Sequence, residues 1–266
     1  MFTEHILDSE LARALERDEL ILHYQPQVDA RTGQVAAVEA LVRWNHPRRG
    51  LVAPASFIPI AERTGLIVPL GDWVMRVACL QSRCWLKAGF APVRMAVNLS
   101  ARQFADEELA RRVEDALDGA GLQPADLELE ITESMMARDP DAAARVVCGL
   151  RDQGVRVMID DFGTGYSSLA SLKRFPIDGL KLDRAFVRNL PDDVYDATIA
   201  RAVTGISREL ELDLVAEGVE TEEQRKFLAG LGVGLLQGYL TGAPQPPERV
   251  ALALQPLRRT YVDATL

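Results

Sequence analysis

The feature that most limits the fold of this chain is a tight turn. ELILHYQPQVD and GQVAAVEALVRW both read as strands, and only the stretch around Ala30-Arg31-Thr32-Gly33 joins them. A link this short holds no crossover helix, so the two strands must run antiparallel. Beyond them the pattern changes. A helical stretch from about Pro69 to Ala88 leads into the strand RMAVNLS, where Ser100 and Gln103 form a capping box for the next helix. Strand LELEIT, a helix from about Pro140 to Asp152, strand VRVMID, a short helix at SSLASL and strand GLKLD follow. A helix from about Asp193 to Leu210, strand LVAEG, helix TEEQRKFLAGL and strand GLLQG complete the series. Repeated units of this kind give parallel strands with right-handed crossovers, and about eight strands close a barrel. The expected fold is α/β, a modified TIM (β/α)8 barrel with an antiparallel first strand; an open doubly wound sheet is the alternative. Leu11, Ala14 and Leu15 share a helical stripe, so residues 1–19 read as a linker helix, 20–258 as the barrel domain and 259–266 as a tail.

Acidic residues recur where these strands give way to polar turns. They are Glu39 in VAAVEALVRW, Glu130 in DLELEITES, Asp160 and Asp161 in VRVMIDDFGTGYSSL, and Glu217 in DLVAEGVE, with Asn98 in RMAVNLS. On a parallel barrel those ends converge on one mouth, where carboxylates repel one another unless a cation sits among them. The arrangement reads as a hard-metal site. Period two in LELEIT turns Glu128 and Glu130 inward and Leu127, Leu129 and Ile131 outward under helices. Glu130 belongs to the mouth; Glu128, deeper, reads as a structural acid with an internal partner. The same alternation in GLKLD aims Lys181 and Asp183 inward, and a buried lysine is costly unless acids surround it. Asp160 and Asp161 are adjacent, so they converge only if the strand ends between them, as Phe162-Gly163-Thr164-Gly165 leads one to expect.

Composition narrows the function. With 266 residues and 48% hydrophobic content the chain can bury one large core. A formal net charge of -9 argues against a polynucleotide groove, though not against a small phosphorylated ligand held through metal ions. Cys79, Cys84 and Cys148 form no even framework and no metal spacing, and read as buried thiols of a reducing compartment. The N-terminus has no apolar signal-peptide core and no run reaches membrane-spanning length, so the expected location is cytoplasmic.

EALVRW, NLS, ELEITES, DDFGTGYSSL, LKLDRAFV, VAEGVET and LLQGYL, in this order, resemble the EAL domain family of bacterial cyclic di-GMP phosphodiesterases. The likeness runs from about Leu20 to Leu240. It implies a modified TIM barrel and hydrolysis of cyclic di-GMP to linear pGpG. It assigns one metal to Glu39, Asn98, Glu130 and Asp160, and a second to Asp160, Asp161 and, through water, Glu217. All these donors are oxygens, which favours Mg²⁺ or Mn²⁺, two per site, with Ca²⁺ inhibitory. By the same likeness Lys181 lies beside the attacking water or the scissile phosphate. Arg43, on the strand face of Glu39 and Leu41, resembles a phosphate contact, and Gln25 and Gln237 resemble substrate-contacting glutamines; Leu41, Asp183 and Glu220 are counted with the substrate site. Glu133 and Glu220 match supporting acids, with Glu133 steadying the loop that begins at Asp160. A homodimer through the region near DDFGTGYSSL and regulatory domains in a longer parent protein are further implications.

Each feature has a blander reading. Asp160-Asp161-Phe162-Gly163 alone could be a turn before a capped helix, and Gly163 with Gly165 lacks the third glycine of a dinucleotide fingerprint. His5, His23 and His46 show no metal spacing, and Trp73 and Trp85 read as core. A receptor that binds the nucleotide without cleaving it, or a nucleotide-free interaction module, would show a lost ligand or an eroded loop. This chain keeps every residue named. Its departures are peripheral: QGYLTGAPQP lacks the usual bulky residue after QGYL, and Pro26-Gln27 replaces a proline-aliphatic step.

Overall fold

The computed structural model describes residues 10–163, 172 and 174–255. β1 (Leu20–Asp29) and β2 (Val35–His46) form an antiparallel hairpin in which Gln25 lies opposite Glu39. Asp29 closes the turn. Its Oδ1 accepts from the amides of Arg31 at 3.1 Å and Thr32 at 2.6 Å, and Gly33 takes the left-handed conformation, φ 70°. β4 (Arg94–Asn98), β5 (Leu127–Thr132), β6 (Arg156–Phe162), β7 (Gly179–Leu182), β8 (Asp213–Ala216) and β9 (Leu235–Leu236) follow. They run parallel to one another and to β2, and β1 closes the ring by pairing antiparallel with both β9 and β2. The closed eight-strand barrel is the expected one, not the open sheet.

Helix starts follow from their caps. Ser100 and Gln103 make the reciprocal capping box ahead of Ala101–Phe104, Asp139 caps Pro140–Asp152, Asp193 caps Val194–Glu209, and Thr221 with Gln224 caps Glu222–Leu231. The long helix Ile67–Lys87 spans the expected stretch. The sequence gives no hint of β3 (Gly50–Val52), which extends β2 outside the ring as an antiparallel edge. The short helix expected at SSLASL falls, but for Leu172, outside the described residues, as does the tail. At the other end of the chain a helix over residues 10–16 buries Leu11 and Ala14 completely, and its Glu10 pairs with His46 and Arg48.

Period two sorts the strand residues as expected. Val38, Ala40, Val97, Leu127, Leu129, Ile131, Val157, Ile159, Leu180 and Leu182 turn outward and are buried beneath helices, each large aliphatic side chain contributing about 1.5–3 kcal/mol. A second, small apolar cluster of Met158, Val215 and Leu235 plugs the inside of the barrel. Below the plug lies a charged lock. Glu128, 1% exposed, faces Arg156 Nε at 3.4 Å and Arg94 Nε at 3.6 Å, and Asp213 takes Arg156 Nη2 at 2.6 Å. Glu128 thus has the internal partners its depth requires. One expectation fails among the cysteines: Cys79 is buried, but Cys84 and Cys148 sit on solvent-facing sides of their helices and are exposed.

Candidate active site

Above the plug, inward residues of five strands meet on one ammonium. Lys181 Nζ, on β7, lies 2.8 Å from Glu130 (β5), 2.7 Å from Glu217 just past β8, 3.3 Å from Asp160 (β6) and 3.7 Å from Glu39 (β2). Lys181 is 1% exposed. Burial alone would lower its pKa, but Glu130, Glu217, Glu39 and Asp160 outweigh it and hold the lysine well above its ordinary range. Among the described residues, four carboxylates against this one ammonium leave a local excess of negative charge. Its consequence is visible in the acids. Burial, then the charge of Glu39, raises Glu130 well above the usual carboxylate range, and burial with Asp160 and Glu39 pushes Glu217 up to about 7.

Asp160 and Asp161 do converge, by a different route from the expected one. β6 does not end between them; it continues through Phe162 with an irregularity in its pairing to β7 between Ile159 and Phe162. Asp161 takes φ 55°, which an Asp tolerates better than most residues, and its amide donates to Asp160 Oδ1 at 2.9 Å. Asp160, Asp161 and Glu217 each offer an oxygen within 4.8 Å of the others. Burial, then Asp160 and Asp183, pushes Asp161 up to about 6. The bulge is followed by Gly163, φ 97°, whose amide donates to Glu133 Oε2 at 3.2 Å. Glu133 is buried in the first turn of Glu133–Arg138, so one carboxylate both starts that helix and grips the segment after Asp161. Thr164 lies outside the described residues.

Glu39 is held from two sides. Asn98 Nδ2 donates to its Oε1 at 2.5 Å and Gln237 Nε2 to its Oε2 at 2.5 Å. Gln25, Glu39, Leu41, Asp160, Glu217, Glu220 and Gln237 line a mouth cavity of about 280 Å³. Arg43 continues the inner face of β2, its Nη1 donating to the Val42 carbonyl at 2.8 Å. Asp183 caps the turn Arg184–Phe186 through the Ala185 amide at 2.8 Å and stands beside Asp161. Sequence reasoning missed Arg184, Tyr239 and Pro244 in the cavity wall. Arg184 pairs with Glu220 at 3.1 Å and lies across Gly218, where a Cβ would come within 2.3 Å of its Cγ. That glycine was the available signal. A larger hollow of about 540 Å³, with Phe104, Leu109, Met135 and Leu150 in a mainly apolar wall, lies away from these acids.

The donors fit divalent cations. They are all oxygens, they carry excess negative charge, and the buried Glu130 Oε1 has no hydrogen-bond partner among the described residues. Among the described residues, Asp160, Asp161 and Glu217 bring their oxygens close enough together to share one ion.

Similarity to known proteins agrees with this architecture. The EAL domain profile matches residues 8–244. The chain is 51% identical over 241 residues, 91% of its length, to the bifunctional diguanylate cyclase/cyclic di-GMP phosphodiesterase MucR of Pseudomonas aeruginosa, and covers 35% of that protein. It is 42% identical over 90% of its length to the cyclic di-GMP phosphodiesterase PdeR of Escherichia coli K12, covering 36% of it. The chain therefore spans about a third of the length of these curated relatives. Among solved structures, the PaMucR phosphodiesterase in complex with c-di-GMP superposes with a TM-score of 0.89 at 51% identity, over 92% of this chain and 99% of that one.

Proposed function

This chain belongs to the EAL domain family, and on that premise we propose that it is a metal-dependent phosphodiesterase that hydrolyses cyclic di-GMP to linear pGpG. In doing so it lowers the level of a bacterial second messenger. The observation that carries the reading is the gathering of four carboxylates on one buried lysine at the barrel mouth. In this reading Glu39, Asn98, Glu130 and Asp160 hold one cation, and Asp160, Asp161 and, through water, Glu217 a second. Mg²⁺ or Mn²⁺ held by these residues would supply a water of lowered pKa and neutralise charge on the phosphate oxygens.

The chain's own groups do the rest. Lys181 offsets part of the repulsion among the acids and keeps them gathered, and its ammonium stands ready for the charge that develops on the scissile phosphate. Gln25, Leu41, Arg43, Asp183, Glu220 and Gln237 hold the nucleotide over the acids, with Arg43 facing phosphate. Glu133 fixes the backbone that presents Asp161. Adding water across one of the two diesters leaves a 5′-phosphate on one guanosine and a free 3′-hydroxyl on the other.

The coverage of longer relatives supports a role as the output end of a larger signalling protein. No helix among the described residues is long and apolar enough to cross a membrane, and action on a second messenger supports a cytoplasmic location. A homodimer through the region near DDFGTGYSSL, most of it outside the described residues, completes the proposal. Incubation of the chain with Mg²⁺ and cyclic di-GMP, followed by chromatography, tests the reaction. Linear pGpG should accumulate, because the opened product no longer spans the site as a constrained ring. GMP as the main early product would contradict the proposal in favour of a general phosphodiesterase.

A further inference from the structure

Three glutamines meet beneath Glu39, and the proposed chemistry accounts for only two. Alternation along β1 places Gln25 and Gln27 on the inner face, with Gln27 the deeper and 0% exposed. The direction of every bond in the cluster is fixed by its neighbours. Glu39 accepts from Asn98 Nδ2 on Oε1 and from Gln237 on Oε2, so Gln237 turns its amide nitrogen toward Glu39, at 2.5 Å. The second hydrogen of that nitrogen goes to Gln25 Oε1 at 3.1 Å, which is open because Gln25 Nε2 is spent on the Gly242 carbonyl at 3.0 Å. Gln237 Oε1 is thereby left facing Gln27, whose Nε2 donates to it at 3.0 Å. Turned end for end, Gln237 would set its oxygen against the Glu39 carboxylate and its amide against the amide of Gln27.

We propose that Gln27 is a positioning residue, whose donation to Gln237 Oε1 holds the Gln237 amide in the one orientation that braces Glu39. The inference rests on the reading of Glu39 as a cation ligand. It gives the wholly buried amide that follows Pro26 a definite task. It also makes a prediction that a space-filling role would not. Gln27→Met keeps the volume and removes the donor.

Electron paramagnetic resonance of free Mn²⁺ measures metal affinity without turnover, and thermal midpoints and the KM and kcat for cyclic di-GMP complete the test. Mn²⁺ affinity should fall about tenfold in Gln27→Met, in the range typical of groups that orient metal ligands. The thermal midpoint of Gln27→Met should stay near that of the parent. Parental Mn²⁺ affinity in Gln27→Met, with any loss confined to the thermal midpoint, would overturn the inference. A parent that bound no Mn²⁺ would overturn the metal site and this inference together. A parent that bound Mn²⁺ and cleaved the nucleotide, matched by Gln27→Met, would overturn the inference alone.

Discussion

The two ends of the barrel interior use the same kinds of side chain in different proportions. At the N-terminal end Arg94 and Arg156 face Glu128 and Asp213, two cations for two acids, with both arginines on Glu128 Oε2. At the mouth a single ammonium, Lys181, serves Glu39, Glu130, Asp160 and Glu217. Each cluster takes a carboxylate out of water, Glu128 below and Glu130 above, and only the lower one closes its own charge balance. A balanced buried cluster needs nothing more to exist, although apolar packing could do its job as well. An unbalanced one persists because something outside the chain completes it, and at the C-terminal ends of barrel strands that something belongs to catalysis. The contrast assigns stability to the lower cluster and chemistry to the upper one, and each assignment can be broken separately.

The largest effect should follow from emptying a ligand position at the mouth. Glu39→Ala should bring cyclic di-GMP turnover below detection while the chain keeps a cooperative thermal transition, because Glu39 borders an open cavity and its loss leaves no sealed void. Turnover near the parental rate would mean that the upper acids serve structure after all. A smaller loss is expected from Glu133→Ala, which frees the Gly163 amide and lets Asp161 wander. Turnover should drop about 10–100-fold, far more than cyclic di-GMP affinity, with partial rescue at high Mg²⁺ or Mn²⁺. Metal titrations of activity on both chains decide it; an unchanged metal requirement would leave Glu133 as the start of its helix and nothing more. The lower cluster should respond in the opposite sense. Glu128→Gln should cost about 2 kcal/mol, lowering the thermal midpoint by roughly 5 °C, with kcat close to parental. A fall in kcat with an unmoved midpoint would erase the distinction between the two ends.

Much of this contrast is written locally in the sequence. Period two in LELEIT and GLKLD is enough to place Glu128, Glu130 and Lys181 inside, and the capping residues Ser100, Asp139, Asp193 and Thr221 mark where helices begin. The tight turn at Asp29–Gly33 dictates the reversed first strand. What escapes a local reading depends on how separate strands fit together. The convergence of Asp160 with Asp161 comes from a slip between β6 and β7 and a left-handed Asp161, neither of which β6 announces by itself. Arg184 enters the mouth because Gly218, on another strand end, leaves room for it. Gln27 reads as a peripheral departure until β9 brings Gln237 beside it. The short β3 edge and the exposure of Cys84 and Cys148 escape for a plainer reason, since each turns on which side of an element faces solvent.

The central claim is that the charge excess at the mouth exists to hold compact divalent cations for hydrolysis. The most direct measurement of it is the turnover and the binding of cyclic di-GMP in Mg²⁺ and in Ca²⁺, side by side. Mg²⁺ sits about 2.0–2.1 Å from its ligands and Ca²⁺ about 2.3–2.6 Å, with more of them. Ca²⁺ should therefore support binding while spreading the acids and stopping hydrolysis, and should inhibit when added to the Mg²⁺ reaction. Equal turnover with the two ions, or turnover that persists in excess chelator, would contradict the account.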